Sequence, residues 1–578
     1  MIPQLLQPHL EAVARRAGIV GDIEPLVAAG NPTHGDYQWN VALKAAKPLE
    51  TTPRALATTL AGALAHPAFA AIEVAGPGFL NLRLDDAWLA ATVASQVASP
   101  TLGIVQEGSG RTVILDYSSP NVAKRMHIGH MRSTQIGNAL DRMHRAAGWN
   151  VIADNHIGDW GTQFGMLMVA WRNWRDDAAL AEDAIGELER LYVLFREKEK
   201  EDPALGDQAR AETAKLQKGD PENTALWRRF LEVSMAEFES VYARMGVRFD
   251  EVLGESAYRD GTDAVVEELV GRGLAEHDQG AVIVRFGAAP PAQKGTPSAG
   301  PAIEPGTGGT VLIIQKRDGA ANYATTDLAC VRYRMARWNP ERIVYVTDMR
   351  QQLHFQQVFA LARAMGVTNE LVHAWFGMLV LPEGAMSTRK GNVIRLVDLM
   401  DEAVRRAREV VDQKSPDLPE SERASIAEAV GLGAVRYADL SQHPQTNITF
   451  DWDRILSLDG NTAPYLLYSH ARCARMLGRA EEVPDLARLA CPHALERELV
   501  LALARVPEAV AVALRTSRPN VLSDQLFDVA NRVNRFYHDL PVLQGGEDRA
   551  HRLALVEAAR RVLRGGMEML GLVPLDRM

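Results

Sequence analysis

The chain has 578 residues, of which 47% are hydrophobic and 24% charged, and its net charge is −10. This length exceeds what one hydrophobic core supports, so we expect three or more domains of ordinary globular composition. An apolar run of about 18 residues, as a membrane span requires, is missing, and the acidic charge is a mild indication against a nucleic-acid partner, although a large enzyme can carry a local basic face.

The amino-terminal region, residues 1–110, is predicted to form a small α+β domain. Its first residues form an amphipathic helical pattern and lack the basic and apolar segments of an export signal. Helical periodicity over residues 53–65 precedes strand-like alternation over residues 71–74 and 80–84, with a Gly-Pro-Gly turn between the two strands.

A parallel sheet is predicted to begin just after this region. Residues 112–116 form a short apolar run bounded by polar residues, as a buried parallel strand would. A helical segment over residues 135–146 and a second strand over residues 151–153 follow. Strand, helix and strand at this spacing indicate a βαβ unit.

An insertion is predicted to split this sheet. Residues 182–272 are charged and helical, and residues 288–309 are rich in Pro, Gly and Ala without periodicity, which is typical of a flexible surface insertion. Strand patterns resume at residues 311–315 and 342–347. Beyond about residue 400 the pattern is helical to the end.

The last helical region has a distinctive composition. Residues 451–578 contain 17 Arg, no Lys and 17 acidic residues, so this region is less acidic than the whole chain. Exclusive use of arginine fits contacts with RNA, because guanidinium pairs with phosphate and stacks on bases. A GC-rich genome produces the same bias.

The most informative segment is residues 118–130, Ser-Ser-Pro-Asn-Val-Ala-Lys-Arg-Met-His-Ile-Gly-His, between the first parallel strand and a helix. The free N–H groups and the dipole of a helix N-terminus favour phosphate. His127 and His130 are three residues apart, so both imidazoles can donate to a phosphoryl group, and Gly129 lets a flat base approach the backbone. A bare His-x-Gly-His also fits a surface histidine pair or half of a zinc site.

This segment and its surroundings resemble the arginine-specific class I aminoacyl-tRNA synthetases. The first class I signature is the same His-Ile-Gly-His, and the preceding Ser-Pro-Asn-x-Ala-Lys is similar to the arginine-specific form. Blocks at residues 155–165, 323–328 and 348–355 agree with the same family. The resemblance extends from about Gly35 to the last residue, apart from the insertion at residues 288–309.

The second class I signature, Lys-Met-Ser-Lys-Ser in its usual form, is altered here. Residues 385–391 read Ala-Met-Ser-Thr-Arg-Lys-Gly, so both lysines are replaced. The resemblance implies that Lys124 supplies the missing ammonium and acts with His127 and His130 in catalysis, although Lys124 alone would pass for an ordinary exposed lysine. It also implies an ATP site drawn from both signatures: Gly129, His127, His130, Met386, Ser387, Arg389 and Lys390.

Selection of arginine requires acceptors that match a planar guanidinium with five donors. The resemblance assigns five residues to this pocket: Asp116, Asn121, Tyr323, Asp327 and Gln351. In this interpretation Asp327 pairs with the guanidinium, Asp116 holds the α-ammonium, and the other three complete a polar shell. Gln351 is expected at the end of a strand, and Asp327 one helical turn after Tyr323. An acidic residue in the position of Asp327 also fits a helix cap or surface.

The resemblance implies an α/β architecture in which a Rossmann-like parallel-sheet catalytic domain carries a helical insertion and lies between two further domains. The expected parts are a small α+β domain at residues 1–110 that contacts the tRNA elbow, a catalytic domain at 111–400 with its insertion at about 170–309, connecting helices at 401–450, and an all-α anticodon-binding domain at 451–578. Residues 461–472 and 534–538 are similar to that last domain, although most aromatic residues at helical spacing belong to a core.

The implied reaction is ATP-dependent ligation of L-arginine to tRNA(Arg) through an arginyl-adenylate. ATP enters as its Mg²⁺ complex, no structural metal is expected, and no covalent enzyme intermediate is needed, so catalysis rests on positioning and electrostatics. The family resemblance further implies that the first step requires tRNA to be present. The corresponding expectations are a monomer in the cytoplasm with no membrane partner.

Three alternatives remain at this point. Another class I synthetase, such as the cysteine enzyme, would need thiolate zinc ligands, whereas Cys330, Cys473 and Cys491 lie far apart in a pattern typical of a reduced compartment. Small nucleotidylyltransferases share only His-x-Gly-His. A non-catalytic tRNA-binding paralogue is disfavoured because the assigned catalytic and pocket residues are intact: His127, His130, Lys124, Asp116 and Asp327. Asn155 and Asp159, each close to a glycine, fit a structural turn and are left out of the site.

Overall fold

The computed structural model describes residues 1–287, 305, 310–380 and 394–578. The chain divides into two compact units. The first, here called the terminal unit, contains residues 1–106, 457–515 and 520–578. The second, here called the central unit, contains residues 107–456 and 516–519. Among the helices of the described residues, none has the length and apolar character that crossing a membrane requires.

The amino-terminal part of the terminal unit is a small α+β fold. Its elements in chain order are α1 Ile2–Arg16, β1 Val27–Ala28, β2 Tyr37–Trp39, α2 Val41–Ala45, α3 Pro53–Ala63, β3 Phe69–Ala75, β4 Phe79–Leu84 and α4 Asp86–Ala98. The strands form an antiparallel sheet in the order β1-β2-β4-β3. The predicted helix and both predicted strands of this region are confirmed. Helix α3 begins where expected because the Thr52 hydroxyl accepts the Ala55 N–H and proline follows the cap.

The central unit begins with the predicted parallel sheet. Its elements up to the insertion are β5 Thr112–Asp116, α5 Ile128–Ala146 and β6 Asn150–Asp154. After the insertion come α12 Tyr323–Trp338, β10 Arg342–Tyr345, α13 Gln352–Ala364 and β11 Glu370–His373. The four strands are all parallel, in the order β11-β10-β5-β6. The strand order reverses at the junction of β5 and β10, which is where ligands bind in open parallel sheets.

The insertion between β6 and β10 is mostly helical. It contains α6 Thr162–Trp174, α7 Asp177–Glu182, α8 Ala184–Glu201, α9 Ala204–Gln217, α10 Pro221–Met245, α11 Thr262–Gly271, β7 Glu276–Asp278, β8 Ala281–Phe286 and β9 Thr310–Gln315. Helices α6, α8, α9 and α10 share an apolar core around Phe164, Leu191 and Phe230. The expectation that residues 311–315 resume the parallel sheet is wrong, because β9 pairs antiparallel with β8 in a separate three-stranded sheet. An apolar strand pattern reveals burial but not the partner strand.

The rest of the central unit is helical apart from one short strand pair. Its elements are β12 Leu379–Val380, α14 Leu396–Lys414, α15 Glu420–Leu440, β13 Ile448–Thr449 and α16 Trp452–Ile455. Strands β12 and β13 pair in parallel. The expectation that the chain beyond residue 400 forms helices without strands therefore holds except at β13. The second half of the terminal unit contains α17 Ala463–Ala480, α18 Ala494–Ala504, α19 Val506–Thr516, α20 Asn520–Asp539 and α21 Arg549–Met569.

An ion pair joins the two halves of the terminal unit. The Arg497 guanidinium donates to both carboxylate oxygens of Asp36 at 2.9 and 2.7 Å, and Arg505 donates to the Asp36 carbonyl at 2.6 Å. Burial on its own would raise the pKa of Asp36, but hydrogen bonds from Arg497 and from the Leu84 N–H lower it. The buried Tyr37 hydroxyl donates to Glu508 at 2.7 Å. The first and last parts of the chain therefore form one compact unit.

Candidate active site

The candidate site lies at the carboxyl ends of the parallel strands of the central unit. Asp116 is the last residue of β5, and its register partners, Tyr345 and Asp154, end the two neighbouring strands. Residues 117–127 connect β5 to α5. The structure therefore places the predicted signature at the point in the sheet where the strand order reverses.

The connecting loop contains three non-glycine residues in the left-handed region of backbone space. Their φ angles are +76° at Ser118, +51° at Ser119 and +64° at Ala123. Such conformations cost energy and persist only where surrounding contacts hold them. The Ser118 hydroxyl lies 2.7 Å from that of Tyr242, and the Ala123 N–H donates to the Ser234 hydroxyl at 2.8 Å. Helix α10 of the insertion, which carries both partners, therefore shapes this loop.

His127 and His130 form a capping pair at the start of α5. His127 Nδ1 accepts the Gly129 N–H at 3.0 Å, and His130 Nδ1 accepts the His127 N–H at 3.1 Å. The two ring centroids are 4.0 Å apart. Because each Nδ1 accepts a hydrogen bond, the proton of each neutral ring lies on Nε2, which is then a donor. A Cβ on Gly129 would lie 2.7 Å from His127 Cε1, so glycine is required here by the cap itself.

Burial and nearby cations keep both imidazoles neutral. Burial lowers the pKa of His130 to about 3, and the neighbouring His127 ring and the Lys124 ammonium act in the same direction. Burial, with the charges of Lys124 and Arg350, also lowers the pKa of His127. The histidines therefore contribute directional donors, whereas Lys124 and Arg350 contribute positive charge. The sequence did not predict a role for Arg350, although Arg350 lies within the family segment at residues 348–355.

Asp116 is already engaged within the protein. One Arg334 nitrogen donates to Asp116 at 2.6 Å and to Asp154 at 2.8 Å, and all three side chains are buried. The Ser119 hydroxyl donates to the other Asp116 oxygen at 3.2 Å. Burial raises the pKa of Asp154 more than Arg334 lowers it. When ionised, two carboxylates share one guanidinium, which leaves the group with one net negative charge.

A second acidic group lies around Asp327 on α12. The Asp327 carboxylate contacts His354 Nε2 at 2.5 Å, and both side chains are half-buried. Burial and the nearby carboxylates of Asp327 and Asp159 raise the pKa of Glu255 to about 8. Burial and Glu255 also raise the pKa of Tyr323, which is 66% exposed at the first residue of α12. The structure thus brings Tyr323 and Asp327 together with a carboxyl group that the sequence did not indicate.

Two other predicted pocket residues are exposed at this edge. Asn121 forms an isolated bridge with Gly158, where a Cβ would lie 2.2 Å from the Asn121 amide oxygen. Gln351 is not at a strand end as expected, because β10 ends at Tyr345 and Gln351 closes a short 3-10 turn that precedes α13. An Asp348 cap ends the extended segment early by accepting the Arg350 N–H at 2.8 Å.

The second signature lies outside the described residues. This applies to the four ATP-site residues assigned to it: Met386, Ser387, Arg389 and Lys390. The chain that follows is described and pairs directly with the first signature. The Ile128 N–H donates to the Ile394 carbonyl at 3.1 Å, and the Leu396 N–H donates to the Met126 carbonyl at 3.0 Å. The segment after the second signature is therefore held against His127.

The excluded turn residues have structural partners. Asn155 is fully buried, accepts the Ser119 N–H at 3.1 Å and donates to Tyr242. Asp159 accepts the N–H and the hydroxyl of Ser256 at 2.8 and 2.6 Å. Both therefore support the loops around the site. Within the described part of the chain, no group of three or more His, Cys, Asp or Glu side chains is arranged to hold a metal ion.

An aromatic and arginine cluster lies on the surface of the terminal unit. The Arg472 guanidinium is 4.6 Å from the ring centroid of Tyr468 and 4.7 Å from that of Tyr537. The two tyrosines are 36% and 44% exposed, and Arg472 also donates to Asn534. The two predicted helical blocks, on α17 and α20, thus meet on one face. Such a stack suits recognition of unpaired bases.

Three family models match the chain in succession. The arginyl tRNA synthetase N-terminal domain matches residues 4–84, the catalytic domain of class I (R) tRNA synthetases matches residues 92–452, and the DALR anticodon-binding domain matches residues 466–578. The middle match alone covers more than half of the chain.

Whole-length relatives agree with these models. The arginine–tRNA ligase of Fusobacterium nucleatum is 41% identical over 96% of this chain and 95% of its own length, and that of Chloroflexus aggregans is 44% identical over 93% of both. The arginyl-tRNA synthetase of Thermus thermophilus has a TM-score of 0.77 at 26% identity over 100% of both chains. The Plasmodium falciparum structure, at 24% identity and a TM-score of 0.83, shares the fold. The chain belongs to the arginyl-tRNA synthetase family of class I tRNA synthetases.

Proposed function

We propose that the central unit activates L-arginine with Mg·ATP and transfers it to tRNA(Arg), as an arginine–tRNA ligase does. One observation carries this proposal. Two unlike groups lie at the same edge of the parallel sheet: carboxyl groups at Asp327 and Glu255, and neutral imidazoles beside the Lys124 ammonium. The first suits a guanidinium and the second suits a phosphoryl group.

The acidic group supports selection of arginine. A guanidinium offers five coplanar donors, and carboxylates accept them in pairs, which an ammonium cannot imitate. Asp327 and Glu255 are the acceptors we assign to the guanidinium. Since Arg334 already occupies one oxygen of Asp116, we assign the remaining negative charge of that group to the α-ammonium of the substrate. Three exposed polar residues complete the pocket: Asn121, Tyr323 and Gln351.

The imidazole group supports activation with ATP. The arginine carboxylate attacks the α-phosphorus of Mg·ATP, and pyrophosphate leaves with the electron pair of the broken bond. His127 and His130 donate from Nε2 to the phosphoryl oxygens, and Lys124 balances their growing charge. We retain Gly129 and four residues of the second signature as the rest of the ATP site: Met386, Ser387, Arg389 and Lys390. Catalysis then needs positioning and charge but no covalent enzyme intermediate.

The terminal unit supports recognition of tRNA. The exposed stack of Tyr468, Arg472 and Tyr537 offers flat faces to bases of the anticodon loop. The terminal ribose hydroxyl of the tRNA, by class resemblance the 2′-OH, attacks the arginyl carbonyl of the adenylate, and AMP leaves with the electron pair of the broken anhydride bond. By the same resemblance we propose that the enzyme works as a monomer in the cytoplasm and needs tRNA for the first step.

The test is ATP-dependent charging of mixed tRNA with each of the twenty amino acids in turn. Arginine alone should form an acid-precipitable product, and omission of ATP should abolish it. Charging with another amino acid would refute the assignment of the acidic pocket. A protein that binds tRNA but charges none would be a non-catalytic paralogue.

A further inference from the structure

The Lys124 ammonium lies over an aromatic ring of the inserted helices. Its Nζ is 4.6 Å from the ring centroid of Tyr192, which belongs to α8. Both side chains are half-buried. Tyr192 also packs against the apolar core that the inserted helices share, so its ring has a fixed support.

The same helix holds the residue that follows Lys124. The Arg125 N–H donates to the Glu189 carboxylate at 2.6 Å, and the Arg125 guanidinium pairs with Asp183, the cap of α8. Glu189 and Tyr192 are three residues apart and are therefore neighbours on the surface of α8, and Asp183 is the cap of the same helix. Helix α8 therefore contacts the loop at two consecutive residues.

The two neighbouring cations have partners of different chemistry. Arg125 is held by carboxylates, which neutralise its charge. Among the residues that the structure describes, Lys124 forms no ion pair with a carboxylate. An aromatic face attracts a cation through its quadrupole and leaves the positive charge intact. The Lys124 charge remains strong enough at the histidines to lower the pKa of both His127 and His130.

We propose that Tyr192 is a positioning residue for Lys124, and that helix α8 thereby sets the ammonium beside the two imidazoles. A lysine side chain has four rotatable bonds and is costly to immobilise, so a site that needs its charge at one point gains from a support. The ring provides that support without competing with phosphate for the charge. This inference rests on the role proposed above for Lys124 in ATP activation.

The experiment compares Tyr192→Leu with Tyr192→Phe in ATP–pyrophosphate exchange, using the full chain with tRNA(Arg). The leucine variant loses the aromatic face, so its kcat/KM for ATP should fall about three- to tenfold, while its KM for arginine stays within about twofold. The phenylalanine variant keeps the face and should match the wild type. Should the leucine variant fail to fold, Tyr192→Met, which also keeps apolar contact without an aromatic face, takes its place.

The inference would be overturned if the leucine and phenylalanine variants lost the same activity, or if the leucine variant matched the wild type. It would also be overturned if the KM for arginine changed as much as the kcat/KM for ATP. A double-mutant cycle supplies the specific readout. In a Lys124→Ala background, Tyr192→Leu should cause no further loss, because the group that it positions is gone. Independent losses would show that Tyr192 acts by another route.

The cycle also separates this inference from the function on which it rests. Lys124→Ala with normal exchange would remove the role of Lys124 and this inference together. Impaired Lys124→Ala with a normal Tyr192→Leu would remove the inference alone.

Discussion

Glu255 gives the sharpest test of the arginine pocket. Burial and the carboxylates of Asp327 and Asp159 raise its pKa to about 8. In the free enzyme near neutral pH the side chain is therefore mostly protonated. A bound guanidinium favours the ionised form, so arginine binding should release a proton and should strengthen as the pH rises.

The magnitude follows from that pKa. Well below this pKa, the ionised fraction of Glu255 falls about tenfold for each pH unit, and the arginine Kd rises in proportion. The arginine Kd should therefore be about 25-fold higher at about pH 6.5 than at about pH 8.5. Isothermal titration calorimetry of arginine in two buffers of different ionisation enthalpy measures both the Kd and the proton release. Glu255→Gln, which keeps the shape but cannot ionise, should bind arginine more weakly, and its Kd should lose this pH dependence.

The stability of the folded protein changes with pH in the opposite direction to arginine binding. The pKa of Glu255 in the folded protein lies above its ordinary value, so the protonated form contributes stability that is full below the ordinary pKa and is lost as the pH rises through about 8. Glu255→Gln should therefore unfold at a higher temperature than the wild type at about pH 8.5. An arginine Kd that is the same at both pH values in the wild type, without proton release, would refute the placement of Glu255 in the pocket.

Three further predictions concern single side chains. Lys124→Ala should lower pyrophosphate exchange about 100-fold or more while the arginine Kd measured by calorimetry is unchanged; a normal rate would remove its catalytic role. Asp327→Asn should raise the KM for arginine about 10- to 100-fold without changing the KM for ATP, and a matching effect on ATP would place Asp327 in the wrong pocket. Arg334→Met leaves Asp116 and Asp154 buried without their cation, so urea denaturation should show a loss of about 3–5 kcal/mol at neutral pH. A loss below about 1 kcal/mol would contradict this account.

Local sequence patterns predicted several of the strands and helices directly. Strand β5 has the predicted bounds because an apolar run stands between polar residues. Helix α5 begins at Ile128, seven residues before the predicted start, because imidazoles of His127 and His130 make the cap. Cap rules favour Ser, Thr, Asp and Asn, so a histidine cap gives no ordinary signal.

The site itself could be predicted only where a motif carried it. The first signature singled out His127 and His130, and the family resemblance singled out Asp116; the structure has Asp116 at the end of β5 and the two histidines at the start of α5. Glu255 escaped notice because its environment depends on burial beside Asp327, which is distant in the chain. The pairing of Asp116 with Arg334 was equally hidden, since arginines at helical spacing usually indicate a solvated face.

The pairing of Asp36 with Arg497 has a consequence for synthesis on the ribosome. The two residues are 461 positions apart, and the partners of Tyr37 are equally late. The amino-terminal fold therefore leaves the ribosome long before the helices that cover it have been synthesised. While the central unit is translated, Asp36 and Tyr37, which are buried in the folded protein, remain exposed. Chaperones that shield such surfaces have their longest opportunity here, and a premature stop codon after the central unit would leave this surface permanently open to aggregation.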